Sequence, residues 1–70
     1  MDLEVGQELE FIRPATWEGK VIPDGTRVRV GAITTEFFEP MVTLVVLGGA
    51  SPEGLTVAKH VVALNCRKIP

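Results

Sequence analysis

The side chains with the most reactive chemistry lie close together near the end of the chain. His60 and Cys66 are the single histidine and the single cysteine of the 70 residues. A thiolate and an imidazole form a nucleophilic pair when they lie within hydrogen-bond reach and a third group orients the base. The sequence identifies no third group, and no base adjoins Cys66 to activate the thiol. We therefore predict that Cys66 packs as a small apolar side chain and that the chain is not an enzyme.

A metal site is the second chemistry to consider. Zinc sites take four protein ligands, or three and an open position, and usually draw them from closely spaced cysteines or histidines. With one residue of each kind, carboxylates such as Glu36 and Glu39 would have to complete the ligand set. We predict neither a metal nor another cofactor. The glycine-rich segment 48–54, GGASPEG, lacks the lysine of a phosphate-binding loop and predicts a turn instead.

The aromatic residues form the best candidate for a binding site. Trp17 lies in a loop that opens with a proline, and Phe37 and Phe38 lie side by side between two predicted strands. Aromatic side chains on neighbouring loops are typical of protein contact sites. The alternative is that these side chains close the ends of a small domain, with one phenylalanine buried as a plug. Three carboxylates border the aromatics and favour a peptide or a cationic partner: Glu18, Glu36 and Glu39.

Three basic residues offer a different site. Arg27 and Arg29 alternate along a predicted strand and should face solvent, so together with Lys59 they form a candidate stripe for nucleic acid. The formal net charge is -2, whereas domains held on phosphates are usually basic, and no aromatic residue lies on that strand to stack on bases. Nucleic-acid binding is therefore the alternative hypothesis. A solvated face that protects the sheet is the structural interpretation of the same residues.

The elements that position these residues are strands. Hydrophobic residues make up 46% of the chain and charged residues 23%, which is typical of a globular domain. No window keeps the apolar spacing that an amphipathic helix needs, whereas alternation with a period of two recurs. The length allows one domain, residues 1–70, with a small core. We predict five strands and one helical turn: residues 7–13, 26–33, 41–47, 55–60 and 66–69, with the turn at about 61–65.

Cysteine usage and the first residues indicate a compartment. A single cysteine cannot form an internal disulfide, which favours a reducing environment. The acidic segment MDLEVGQELE lacks the features of a signal peptide, and the longest apolar run is far too short to span a bilayer. We expect a cytoplasmic protein without an export or membrane segment.

The third predicted strand, residues 41–47, is apolar on both faces. Val42, Leu44 and Val46 alternate with Met41, Val45 and Leu47. A strand of this kind is covered on two sides, by a loop, by a neighbouring strand at a bend or by a second copy. A homo-oligomer in which this strand pairs with its counterpart is therefore a further hypothesis.

The order of these elements resembles an SH3-like small barrel: five short strands, a long first connection, a tight turn before the second strand and a helical turn before the last. Three segments are also similar at fold level to the SH3-like accessory protein of bacterial ferrous-iron uptake, namely IPDGTRVRVGAI, EPMVTLVV and LTVAKHVVALNCRKI. The helix that this family places after its first strand is missing here. The chain has no tyrosine, so polyproline recognition is not expected. The matching residues are Pro23, Gly25, Thr26, Val28, Val30, Ala63 and Ile69.

The resemblance also implies which segments are neighbours. First and last strands adjoin in such a barrel, so Glu8 and Glu10 would face Arg67 and Lys68 in exposed pairs worth about a few tenths of a kcal/mol each. It also brings Trp17 near Phe37 and Phe38. We therefore expect a non-catalytic module that binds a protein partner through the loops carrying these three aromatics.

Overall fold

Strands dominate the chain, as the sequence predicts. The computed structural model describes residues 2–48 and 54–70, and the all-β class is confirmed, with one short helix. The turn predicted at 48–54 lies almost entirely outside the described residues. The elements are β1 (Glu8–Phe11), β2 (Ala15–Trp17), β3 (Lys20–Ile22), β4 (Arg27–Glu36), β5 (Glu39–Val46), β6 (Gly54–Ala58), α1 (Lys59–Asn65) and β7 (Cys66–Lys68).

Five strands form one antiparallel sheet in the order β6-β5-β4-β1-β7, and β2 pairs with β3 in a separate two-stranded sheet. Strands β1 and β7, the first and last strands along the sequence, are neighbours in this sheet, as expected. Within the described residues no ladder joins β6 to β7, so the sheet is not closed into the five-stranded barrel that the sequence predicts. Helix α1 makes the connection between these two end strands.

The core lies on one face of the large sheet. Alternate side chains point inward, so Leu9 of β1, Val28 and Val30 of β4, and Leu44 of β5 are fully buried. Helix α1 adds Val62 to the same cluster. All buried residues in the described part of the chain are apolar. Arg27 and Arg29, which alternate with these valines on β4, face solvent as the sequence predicts.

The segment before β4 is a hairpin and not the loop that the sequence suggests. Trp17 pairs with Lys20, and the two residues between them form the turn. Glu18 and Gly19 both have positive φ, 48° and 78°, which is the pattern of a type I′ hairpin turn. The buried side chains of Ala15 and Ile22, which pair with each other, attach this short hairpin to the core.

Helix α1 begins two residues earlier than predicted. It starts at Lys59, so the strand expected to run to His60 ends at Ala58. The helix buries Val61 and Val62 together, which an extended strand cannot do on one face. At its C-terminal end the Asn65 side-chain amide donates a hydrogen bond of 2.8 Å to the Val61 carbonyl.

Strand β5 occupies the interior of the sheet. It pairs with β4 on one side and with β6 on the other, so both of its edges are used within the chain. Met41 is buried, and on the face away from the core Thr43 and Thr56 form a cross-strand hydrogen bond of 3.0 Å between their hydroxyls. Pairing of this strand with its counterpart in another copy would need a free edge, and in the described residues β5 has none from Met41 to Val45. Homo-oligomer formation itself stays a prediction.

Glu10 joins three strands of the sheet. Its register partners are Arg27 on β4 and Arg67 on β7. Arg67 donates hydrogen bonds of 2.9 and 2.7 Å to one carboxylate oxygen, and Arg27 Nε lies 3.8 Å from the other. The bonds from Arg67 lower the pKa of Glu10; desolvation opposes this, and the positive charges of Arg67 and Arg27 add to it. The predicted ion pair with Arg67 is present, whereas Glu8 faces Arg29 and not β7.

The lowered pKa of Glu10 affects how the free energy of unfolding depends on pH. Because folding lowers the pKa of Glu10 below its ordinary value of 4.5, its contribution is complete above that pH and is lost as the pH falls further. We expect the free energy of unfolding to fall less between about pH 7 and about pH 3 in Glu10→Gln than in the wild type. Urea unfolding at both pH values measures this. Glu8→Gln is the matched control and should keep the wild-type dependence; equal slopes for Glu10→Gln and wild type would contradict the prediction.

Candidate functional site

Phe37 and Phe38 form the turn at the end of the β4-β5 hairpin. Glu36 and Glu39 are the last paired residues, so the two phenylalanines are the whole connection. Phe37 is 98% exposed and Phe38 is 103% exposed. The expectation that one of them plugs the domain is wrong. Two adjacent aromatic side chains fully in water form the kind of apolar surface that marks an interaction site.

The backbone of this turn is strained. Phe37 has a φ of 49° and Phe38 a φ of 65°, which places both in the left-handed region. A type I′ turn needs this conformation at both central positions and normally uses Asn-Gly. Bulky residues adopt it at a cost of about 1–3 kcal/mol each, and such strain is concentrated at functional sites. The turn therefore retains two phenylalanines that contribute strain and no burial.

The end of this hairpin extends beyond the rest of the sheet. Strand β1 pairs with β4 only at residues 27–29, and β6 pairs with β5 no further than Met41. The last two rows of the hairpin therefore have no neighbouring strand among the described residues. Every residue from 33 to 40 is exposed. We call residues 35–40, with Phe37 and Phe38 at their centre, the hairpin tip.

Trp17 does not pack against either phenylalanine. Its ring contacts His60 edge-on, with 6.2 Å between ring centroids and 76° between the planes. Trp17 is half-buried against the core, and its indole Nε1 is buried without a hydrogen-bond partner in the described structure. His60 Nδ1 in turn lies 3.6 Å from a Glu39 carboxylate oxygen. The predicted aromatic cluster is thus replaced by a contact chain from Trp17 through His60 to the base of the tip.

The sequence did not suggest that His60 would contact Trp17. Its position depends on the early start of α1, which turns the residue after Lys59 towards Trp17 and β5. The distance to Glu39 exceeds that of a hydrogen bond, and both side chains are about half exposed or more, at 62% and 49%. The two side chains are therefore neighbours without a hydrogen bond between them.

Cys66 belongs to the core. It begins β7, pairs with Phe11 and is 5% exposed. Burial raises the pKa of its thiol to about 11. The recorded contacts of the His60 ring are with Trp17 and Glu39, and the described residues show no hydrogen bond between His60 and Cys66. In residues 2–48 and 54–70 no three histidine, cysteine or acidic side chains are grouped in a way that could hold a metal ion.

The three basic residues of the alternative site are not together. Arg27 and Arg29 lie on the outer face of β4, where they face Glu10 and Glu8 of β1. Arg29 is in the row of Val45, whereas Lys59 follows Ala58, which is in the row of Met41. Val45 and Met41 are four positions apart on β5, which is roughly 13 Å along the strand. The arginines are thus beside carboxylates and apart from Lys59, which weakens the case for a phosphate-binding stripe.

A groove lies at the other end of the sheet, and sequence reasoning missed it. One cavity of about 350 Å³ lies between β3 and the ends of β4, β5 and β6, and a second of about 470 Å³ adjoins it at Thr26 and Val46. Among the described residues, the charged ones that line the two cavities are Lys20 and Arg27. We call the first cavity the β3 groove. Its apolar lining includes Val21, Ile22, Pro23, Val46 and Leu55.

Comparisons with protein-family models, with curated proteins and with solved structures returned no match. In the described residues no helix is long and apolar enough to cross a membrane; α1 has seven residues. The candidate sites therefore rest on geometry: the hairpin tip at one end of the sheet and the β3 groove at the other.

The burial of Cys66 predicts slow reaction with thiol reagents. With a pKa of about 11, the folded protein holds only about one thousandth of its thiol as thiolate at about pH 8, against about a quarter for an ordinary cysteine. We expect alkylation of the native protein to be at least about 100-fold slower than in urea. The double variant Cys66→Ser/Val21→Cys, with its thiol at an exposed position, is the control and should react rapidly when folded. Native Cys66 reacting as fast as that control would contradict the assignment.

Proposed function

We propose that this domain is a non-catalytic interaction module that binds a protein partner through the hairpin tip. The observation that carries the proposal is the full exposure of Phe37 and Phe38 in a strained turn. Each aromatic side chain can bury about 150–250 Å² in an interface, and aromatic anchors supply much of the binding energy of protein complexes. The two-residue turn directs both side chains outward before the partner arrives, which limits the backbone entropy lost on binding.

The residues around the tip extend this proposal. Glu36 and Glu39 place two carboxylates at its base, so the partner surface should combine an apolar pocket with a basic rim. Trp17 has a supporting role in this proposal, because it is half-buried and contacts the base of the tip through His60. Trp17 therefore positions the hairpin, and the two phenylalanines make the contact.

We also propose that the domain is an SH3-like small barrel. The strand order β7-β1-β4-β5-β6 and the helix before β7 support this proposal, and the β2-β3 hairpin then corresponds to the long first connection. A cytoplasmic location is likewise a proposal, supported by a single cysteine that is buried and unpaired.

The double variant Phe37→Asn/Phe38→Gly separates function from stability. Asn-Gly fits a type I′ turn without strain, so we expect the free energy of unfolding to rise by about 1–2 kcal/mol. The same variant should lose the partner, because no aromatic anchor remains. Urea unfolding measures the first effect, and quantitative capture of proteins from an extract of the source cells, with the domain as bait, measures the second.

The matched control is Ile12→Ser, which removes a side chain that is 49% exposed, beside the last strand and away from the tip. This variant should capture the same proteins as the wild type. If the Asn-Gly variant remained folded and captured the same proteins in the same amounts, the tip would not be the contact site and the proposal would fail.

A further inference from the structure

The hairpin tip and the β3 groove are at opposite ends of the same hairpin. Val28 and Val46, which line the groove, form the first row of the β4-β5 ladder, and Glu36 and Glu39 form the last. A strand of this length extends roughly 25–30 Å, which is close to the longest dimension of the molecule, 32 Å. The tip therefore cannot reach the groove of its own chain.

The two surfaces are both largely apolar. The tip is a pair of exposed aromatic rings, and the β3 groove is a mostly apolar cavity of about 350 Å³, within the size range that holds organic ligands. Val21 lies in the groove with 70% of its surface exposed, although it is a β-branched apolar residue. Each surface thus offers the apolar area that the other can cover.

The charges around the two surfaces are also opposite. Glu36 and Glu39 stand at the base of the tip, and within residues 2–48 and 54–70 the charged side chains that line the groove and its adjoining cavity are Lys20 and Arg27. Arg27 also has Glu10 at 3.8 Å, so Lys20 is the cation that makes no ion pair with the described residues. Opposite charges on facing rims orient a docking surface and fix its register.

We infer that the partner of the hairpin tip is a second copy of this chain, and that the tip of one copy docks into the β3 groove of the next. This inference rests on the proposed function and names its partner. A contact between two different surfaces is heterologous, so every added copy still presents a free tip at one end and a free groove at the other. The structure therefore points to head-to-tail chains or a closed ring and not to a symmetric dimer.

The size of the contact sets the concentration at which it forms. A two-residue tip in one groove buries less than the roughly 1,200 Å² of a standard interface, so a weak and reversible association is expected. We expect half-association at about 0.1–1 mM. The average mass should rise over that range and return to that of one chain at about 10 µM.

Sedimentation of the full chain and of two variants tests this inference. Phe37→Asn/Phe38→Gly removes the tip and leaves the groove, and Val21→Glu places a charge in the groove and leaves the tip. Each variant alone should remain a monomer at about 1 mM. Mixed in equal amounts, they can form one productive contact, so the mass should stop at two chains. Ile12→Ser should associate as the wild type does, and amide spectra confirm that every variant is folded.

A charge exchange gives an independent readout. Lys20→Glu and Glu36→Lys should each weaken self-association, because each brings like charges together in the contact. In a mixture of the two variants, the unaltered groove meets the unaltered tip and the altered groove meets the altered tip with opposite charges, so the mass should rise beyond the two chains that the unaltered contact alone allows. Equal association of Lys20→Glu and wild type, or no gain on mixing, would remove the groove as the docking surface.

The results also separate this inference from the proposed function. A wild-type protein that stays monomeric at about 1 mM, a Val21→Glu variant that still associates, or a mixture of tip and groove variants that stays monomeric would each overturn the inference. If the wild type is monomeric while the Asn-Gly variant loses captured proteins, the tip binds a different protein and only the inference fails. If capture is also unchanged, both fail.

Discussion

The register between β4 and β5 is the constraint on which the other elements depend. Val30 faces Leu44 across this ladder, and both are fully buried. Because side chains alternate, a slip of β4 by one residue would move Val30 to the solvent face and bring Arg29 inward. The same slip of β5 would expose Leu44 and bring Val45 inward. Strands β1 and β6 are built on the outer edges of this pair, so the same register decides that Glu10 meets Arg27 and that Val57 meets Val42. It also fixes which two residues become the turn at the far end.

The ladder contains one irregularity, and it separates the sheet from the projecting tip. The register shifts between Val30 and Ala32, so Gly31 lies in a bulge. A Cβ on Gly31 would lie 3.4 Å from a Val45 methyl and 3.5 Å from the Thr43 carbonyl, which are ordinary van der Waals distances, so the bulge does not require glycine for space. A bulge bends its strand and reverses which residues face the core. Before it the even-numbered residues of β4 face the core, and after it Ile33 pairs with the buried Val42.

Much of the large sheet could be predicted from the sequence, because its strands alternate and its core positions are β-branched or leucine. The hairpin of β2 and β3 could not, because three-residue strands are too short to show alternation and their turn is Glu18-Gly19. The two-residue turn of Phe37 and Phe38 could not be predicted either. Aromatic residues favour extended strands, so the preference of these residues contradicts the conformation that they adopt here. The groove was missed because the exposure of Val21 depends on where β3 lies relative to β6, which no local pattern records. The position of His60 depends on the start of α1, which tertiary burial of Val61 and Val62 decides.

The exposure of the tip phenylalanines is best explained by a demand outside the folded chain. A domain of this length has a stability of roughly 4–10 kcal/mol by its size, so strain of about 1–3 kcal/mol per residue is a large fraction of the total. The core does not recover this strain, because neither ring is buried and the core consists of other residues. Substitution by polar turn residues would be neutral or stabilising for folding alone, and this imbalance is the physical basis of the proposal that the rings contact another molecule.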